Sequence, residues 1–113
     1  MSNNVEIVET LLNVEPKLLE LTDGRSWTAL HYSCQYGKCE VAKVLVDKGA
    51  NIDAQIDIRR TPLHLAGFEG YDVCVEYLLK NQADPNVQSE GNWTPLILAA
   101  QEGKTKCLSL IHI

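Results

Sequence analysis

The sequence predicts an all-α solenoid of stacked helix-turn-helix units, and three observations carry the prediction. Thr28, Thr61 and Thr94 stand 33 residues apart, as do Leu30, Leu63 and Leu96, and then Gly37, Gly70 and Gly103. A period of this size belongs to arrays whose units each bury one face on a neighbour. Within one period, residues 60–87 read as a turn, a short helix, a tight loop and a second helix. Both helices are too short to be stable alone. The second carries an apolar face at Val73, Val75, Tyr77, Leu78 and Leu79, which requires a stacked neighbour on each side.

Each boundary in that unit has a local cause. Thr61 can cap the first helix through its hydroxyl, and Pro62 follows at the first helical position, where its missing N–H costs nothing. Gly70 can take the left-handed conformation that ends the helix, and Asp72 is placed to cap the next, over residues 73–80.

The residues Thr61-Pro62-Leu63-His64-Leu65-Ala66, Gly70, Leu78-Leu79 and Ala83-Asp84-Pro85-Asn86 resemble an ankyrin repeat. Thr28-Ala29-Leu30-His31 opens another copy, closed by Gly49-Ala50-Asn51-Ile52-Asp53, and Thr94-Pro95-Leu96 opens a third. The resemblance implies one ankyrin-repeat domain over residues 1–113, joined by β-turn fingers. It divides into a half repeat over 1–22, repeats over 23–55 and 56–88, and a truncated repeat over 89–113.

In chain order, Asn3 or Asn4 is placed to cap a helix over 5–12, and a shift of 33 sets Val8, Leu11 and Leu12 on Val41, Val44 and Leu45. This is the second helix of a repeat whose first helix is missing; its outer residues Glu6, Glu9 and Asn13 are polar, as a solvated end requires. Pro16-Lys17 then replaces the usual Gly-Ala turn, with Leu18, Leu19 and Leu21 expected to fold onto the next unit. The first full repeat opens with Asp23, whose carboxylate can bond backbone two residues on, and has helices over 29–36 and 40–47 before Gly49. The turn over 55–60 departs from the pattern, with Ile56, Ile58 and Arg59 where an Asp and then a Gly are usual, so it is expected to be wider or strained. Ile56 and Ile58 either pack on neighbouring turns or form an exposed apolar fingertip. In the last repeat Asn92 falls where Gly is preferred, and Asn is the next best residue for the left-handed region.

Leu108–Ile113, LSLIHI, resembles a translated sequencing adapter, so natural sequence is expected to stop near Cys107. The array then lacks a polar C-terminal cap, and a fragment prone to self-association is expected.

Composition excludes several functions. With 113 residues the chain has room for one domain. A net charge of −5 argues against nucleic acid and anionic membranes as partners. No apolar run approaches the ~20 residues of a membrane span, and no secretory leader is visible, so a cytoplasmic or nuclear home is expected.

His31 and His64 invite a catalytic or metal reading. Both recur with the period, three residues after the turn Thr, and neither has a Cys or carboxylate at ligand spacing. The resemblance implies structural histidines that bond the Thr hydroxyl and nearby turn backbone, with Thr28, Thr61 and Thr94 as the motif threonines. Ile97 takes the third histidine's place. Cysteines at equivalent positions of adjacent repeats lie at helix-packing distance, ~8–10 Å, beyond disulfide reach. All four are therefore read as thiols in a reducing compartment, with Cys39 the one to test for reactivity. No nucleophile, base and oxyanion set and no phosphate loop emerges, and no cofactor or metal is expected.

What remains is a surface. The resemblance implies that turn tips and the exposed ends of the first helices line a concave groove that binds another protein. Carried over by position, the groove is Trp27, Arg60 and Trp93 before each turn Thr; Gln35 and Tyr36, Phe68 and Glu69, Gln101 and Glu102 on the first helices; and tips such as Ile58. Phe68 stands out because its equivalents Gln35 and Gln101 are polar, whereas Trp27 and Trp93 serve equally well as covers for the turn backbone. Phe68, Trp93 and Arg60 are the expected anchors. The leading reading is an adaptor or scaffold module; the alternative is a regulatory segment of a larger enzyme or channel. Asn86 also resembles the ankyrin asparagine that asparaginyl hydroxylases accept, or else serves only the turn between repeats.

Overall fold

Residues 3–111 are described by a computed structural model. In chain order they form α1 (Asn3–Val14), a 3₁₀ turn (Pro16–Glu20), α2 (Ala29–Gln35), α3 (Cys39–Asp47), α4 (Pro62–Glu69), α5 (Asp72–Lys80), α6 (Pro95–Gln101) and α7 (Thr105–Ile111). No strand occurs among the described residues, so the chain is the all-α stack its period predicts. The reading of residues 112 and 113 as adapter sequence lies outside the described residues.

The threonines set the helix starts. Thr28, Thr61 and Thr94 hold extended backbone (φ −95°, −93° and −92°), and each hydroxyl accepts from the N–H three residues on. This satisfies one of the donors that a helix N-terminus leaves open. Pro62 and Pro95 follow where no N–H is needed. At the other end Gly70 takes φ +81°, and its N–H returns to the Ala66 and Gly67 carbonyls. Asp72 does not cap α5: Tyr71 is the N-cap, without a side-chain bond, and Asp72 is the first helical residue. There its carboxylate sits at the favourable end of the helix dipole and pairs with Lys106 of α7 at 3.3 Å.

The first helices form one row, α2 against α4 and α4 against α6; α1, α3, α5 and α7 form a second row alongside. Leu30, Leu63, Leu45, Leu78 and Val75 are fully buried where the rows meet. Leu18 and Leu19 of the 3₁₀ turn pack on this core, but Leu21, expected there too, points into solvent. The turn's last N–H closes on the Leu18 carbonyl, and the chain leaves it extended, which carries Leu21 away from the core.

The three fingers are closed alike. Asp23, Ile56 and Ser89 donate to the carbonyls of Trp27, Arg60 and Trp93 at 3.1, 2.9 and 2.8 Å. Ser26, Arg59 and Asn92 then occupy the left-handed region at φ +67°, +63° and +65°. The turn holding Ile56 and Arg59 is therefore no wider than its neighbours; its departure in sequence is absorbed as left-handed strain at Arg59. Ile56 is buried and Ile58 is 37% exposed, so one packs and the other forms the fingertip. Adjacent fingers are tied by Asp57 N–H to the Arg25 carbonyl (3.2 Å) and Glu90 N–H to the Ile58 carbonyl (2.9 Å).

One expectation is overturned in the second row. Cys39 and Cys74 form a disulfide, with Cα atoms 5.2 Å apart. The distance expected from equivalent positions does not apply, because this pair is separated by 35 residues and so lies two beyond the period. Cys39 opens α3 and Cys74 sits in the first turn of α5, which brings the side chains together across adjacent units. Cys39 is thus bonded and not the free thiol that was expected. Cys34 and Cys107 are buried and unbridged, and burial pushes the Cys34 thiol up to about 12.

Candidate functional site

The fixed framework of the candidate surface is the Thr–His pair of each finger. His64 Nδ1 accepts from the Thr61 N–H at 3.0 Å and lies 2.9 Å from the Thr61 hydroxyl, while the His64 N–H donates to that hydroxyl. Because Nδ1 accepts, the ring proton is on Nε2, which donates to the Trp93 carbonyl of the next finger at 2.8 Å. His31 repeats this with Thr28 and with the Ala54 carbonyl, also at 2.8 Å. His64 joins a helix start to the following finger and His31 to the loop that leads to it, each with both ring nitrogens occupied, which leaves none for a substrate or metal. Thr94 keeps its half of the motif, accepting from the Ile97 N–H at 3.2 Å, but Ile97 has nothing to return and its side chain is exposed.

Burial lowers both histidine pKa values below the ordinary 6.5, so the rings are neutral in the folded chain at pH 7. The unfolded chain therefore binds more protons once the pH falls through 6.5, and folding stability present above that pH is lost below it. Between pH 6.5 and the lowered values, each histidine is expected to cost about 1.4 kcal/mol per pH unit. Urea midpoints at pH 7.5 and 5.5 measure this, and a midpoint independent of pH would contradict the assignment.

On this framework the structure brings together two pairs from the expected groove. The Arg60 guanidinium lies 5.5 Å from the Phe68 ring centroid, and its Nε is buried without a hydrogen-bond partner. Gln35 donates to Glu69 at 3.2 Å, linking α2 to α4. Phe68 is half-buried rather than fully solvent-facing. Tyr36 is the most exposed aromatic at 63%, and Gln101 and Glu102 are exposed. Trp93 is half-buried, with its indole closed over Gly91 so tightly that a Cβ there would lie 2.8 Å from Nε1.

Trp27 is occupied in packing. Its ring lies 4.9 Å from that of Tyr32 and carries the Arg25 guanidinium at 5.3 Å. The Tyr32 hydroxyl bonds Asp23, and this bond is the largest factor holding the Asp23 carboxyl below its usual range. Asn86 is exposed; its N–H donates to Asp84 at 2.9 Å, and the Asp84 N–H to Asp53 of the preceding unit at 3.0 Å.

Tyr32 and Ile7, both exposed, were not singled out from the sequence, and Leu11, which the period aligns with Val44, is exposed as well. The signal was available for Tyr32, which stands at the register of Leu65 and Leu98, both buried. Among the described residues no group of three or more His, Cys, Asp and Glu could hold a metal, and no helix is long and apolar enough to cross a membrane.

Comparison with known proteins agrees with the repeat geometry. The family profile described as ankyrin repeats, in three copies, matches residues 1–89. The chain is 31% identical over 112 residues to the ankyrin repeat, SAM and basic leucine zipper domain-containing protein 1 of Saimiri boliviensis boliviensis, covering 96% of this chain and 24% of the relative. The Ovis aries protein of the same name is 31% identical over 106 residues, covering 90% and 22%. The chain thus spans about a quarter of the length of the curated relatives it matches.

Proposed function

Because the chain belongs to the ankyrin-repeat family, whose arrays are in general protein-interaction modules, we propose that it is a non-catalytic adaptor that binds a protein segment in its concave groove. The observation that carries this reading is the Arg60–Phe68 pair. It sets an incompletely hydrogen-bonded guanidinium against a half-buried aromatic ring on the side of the first helices. Arg and large aromatics dominate interface energies because they combine area with directional bonds. An acidic residue next to an apolar one is the ligand that fits: the carboxylate neutralises the guanidinium and the apolar side chain covers Phe68. Trp93, Glu69, Gln101 and Glu102 extend the surface along the row, and Asn86 is a candidate for hydroxylation at its edge.

A regulatory segment of a longer protein is the second reading, favoured by the small share of its relatives that the chain spans. Both readings predict the same surface. Peptides selected by display on the immobilised chain supply the ligand for a test. Phe68→Ala and Arg60→Ala are each expected to weaken binding about tenfold or more, or ~1.4 kcal/mol, with little change in melting temperature. Unchanged affinity in both variants would refute the groove.

A further inference from the structure

We propose that the Cys39–Cys74 bond is a thiol-operated switch that sets how firmly the groove holds its peptide, tightly when oxidised and weakly when reduced. The proposal rests on the groove reading above and adds its regulation. Three contacts tie the first full repeat to the second at the end of the groove formed by Tyr36 and Glu69. Gln35 donates to Glu69 at 3.2 Å, the Tyr71 ring closes on Gly37 so nearly that a Cβ there would lie 2.9 Å from it, and Cys39 is bonded to Cys74. The three run in step along the two repeats, and only the last is covalent. Cys39 stands three residues after Tyr36, so a change at its sulfur reaches the groove through one tight loop.

The repeat itself does not require the bond. One period on, Asp72 takes the place of Cys39 and Cys107 that of Cys74, and α5 meets α7 there without a disulfide. Asp72 pairs with Lys106 at 3.3 Å, and Cys107 stays a buried thiol, pushed up by burial and by the Asp72 carboxylate. Farther along α3 and α5 a second tie needs no sulfur: the Tyr77 hydroxyl bonds Asp47, and Lys43 Nζ lies 5.7 Å from the Tyr77 ring centroid. Opening the bond therefore frees the starts of α3 and α5 while their later turns stay joined. A groove whose two halves are no longer fixed must be ordered by the peptide, and binding weakens by that cost.

The sulfurs are unequally reachable, which sets the course of the exchange. Cys39 is half-buried, whereas Cys74 is 1% exposed. A thiolate of a small dithiol attacks Cys39 Sγ; the Cys39–Cys74 bond breaks, and Cys74 leaves with the electron pair and takes a proton from solvent. The dithiol's second thiolate then attacks the dithiol sulfur of the mixed disulfide, closes a ring and expels Cys39, which is protonated in turn. Two electrons and two protons pass to the protein, and the dithiol departs as a cyclic disulfide. An oxidised dithiol reverses both steps and restores the tie. Cys34 and Cys107, at 0% and 1% exposure, take no part.

The test uses the whole chain and a fluorescein-labelled, display-selected peptide whose binding is weakened at least about tenfold by Phe68→Ala. Anisotropy titrations are run in oxidised and in reduced dithiothreitol, with free thiols counted by alkylation and mass. As the count goes from two to four, Kd is expected to rise about fivefold or more with far-UV circular dichroism unchanged, and to return on reoxidation. Cys39→Ser is expected to bind as weakly as the reduced chain in both buffers. A Kd indifferent to reduction, or a response that persists in Cys39→Ser, would overturn the switch and leave the groove standing. Reduction that abolishes the helical signal would overturn it too, because the bond would then hold the fold and not the groove. If no selected peptide is weakened by Phe68→Ala, the groove falls and its regulation with it.

Discussion

His64→Ala is expected to lower the unfolding free energy by about 3–4 kcal/mol at pH 7.5, a large loss for a single residue. The ring is fully buried and joins three points: the Thr61 N–H, the Thr61 hydroxyl and the Trp93 carbonyl of the following finger. Its removal leaves a buried amide and a carbonyl without partners, each worth about 1–3 kcal/mol, and opens a cavity between two repeats. Because each unit is stable only through its neighbours, the loss is also expected to reduce the cooperativity of unfolding. His31→Ala should cost less, because Thr28 is half-buried where Thr61 is buried and water can replace part of the bonding there. Urea denaturation of both variants measures the difference. A loss below about 1 kcal/mol for His64→Ala would mean that the ring is not the tie between the repeats.

Reduction of the Cys39–Cys74 bond is expected to cost about 3–4 kcal/mol, the loop-closure value for two cysteines 35 residues apart. It ties α3 to α5 on the side of the second helices, whereas His64 ties the finger of Thr61 to the finger of Trp93, one junction further along the stack. The simplest check is chemical. Alkylation of the denatured chain without reductant should label only Cys34 and Cys107. Labelling of all four cysteines would contradict the bond, and a urea midpoint unaffected by reductant would contradict its contribution to stability.

The architecture was legible in the sequence because its determinants are local and recur. A threonine hydroxyl caps the N–H three residues on wherever Thr precedes a helix, and Gly70 ends α4 by a conformation only glycine adopts freely. The features that were not legible depend on contacts between non-equivalent positions. The disulfide joins residues two beyond the period, so reasoning from equivalent positions placed its sulfurs too far apart. Arg59 takes the same left-handed turn as Ser26 and Asn92, because the finger's hydrogen bonds fix the backbone whichever side chain is present. The groove was legible as a row of positions but not as contacts. Nothing in the sequence pairs Arg60 with Phe68 or commits Trp27 to Tyr32, since side chains eight and five residues apart meet only once the finger folds over its helix.

The central claim, that this chain binds a protein segment in its concave groove, is tested most directly by the footprint of a display-selected peptide in amide hydrogen exchange. If the groove is the site, protection falls on the fingers and first-helix ends around Arg60, Phe68, Glu69 and Trp93, and Phe68→Ala shifts the peptide concentration it requires upward by about tenfold or more. Protection confined to the second helices α3 and α5, or protection unchanged in Phe68→Ala, would contradict it.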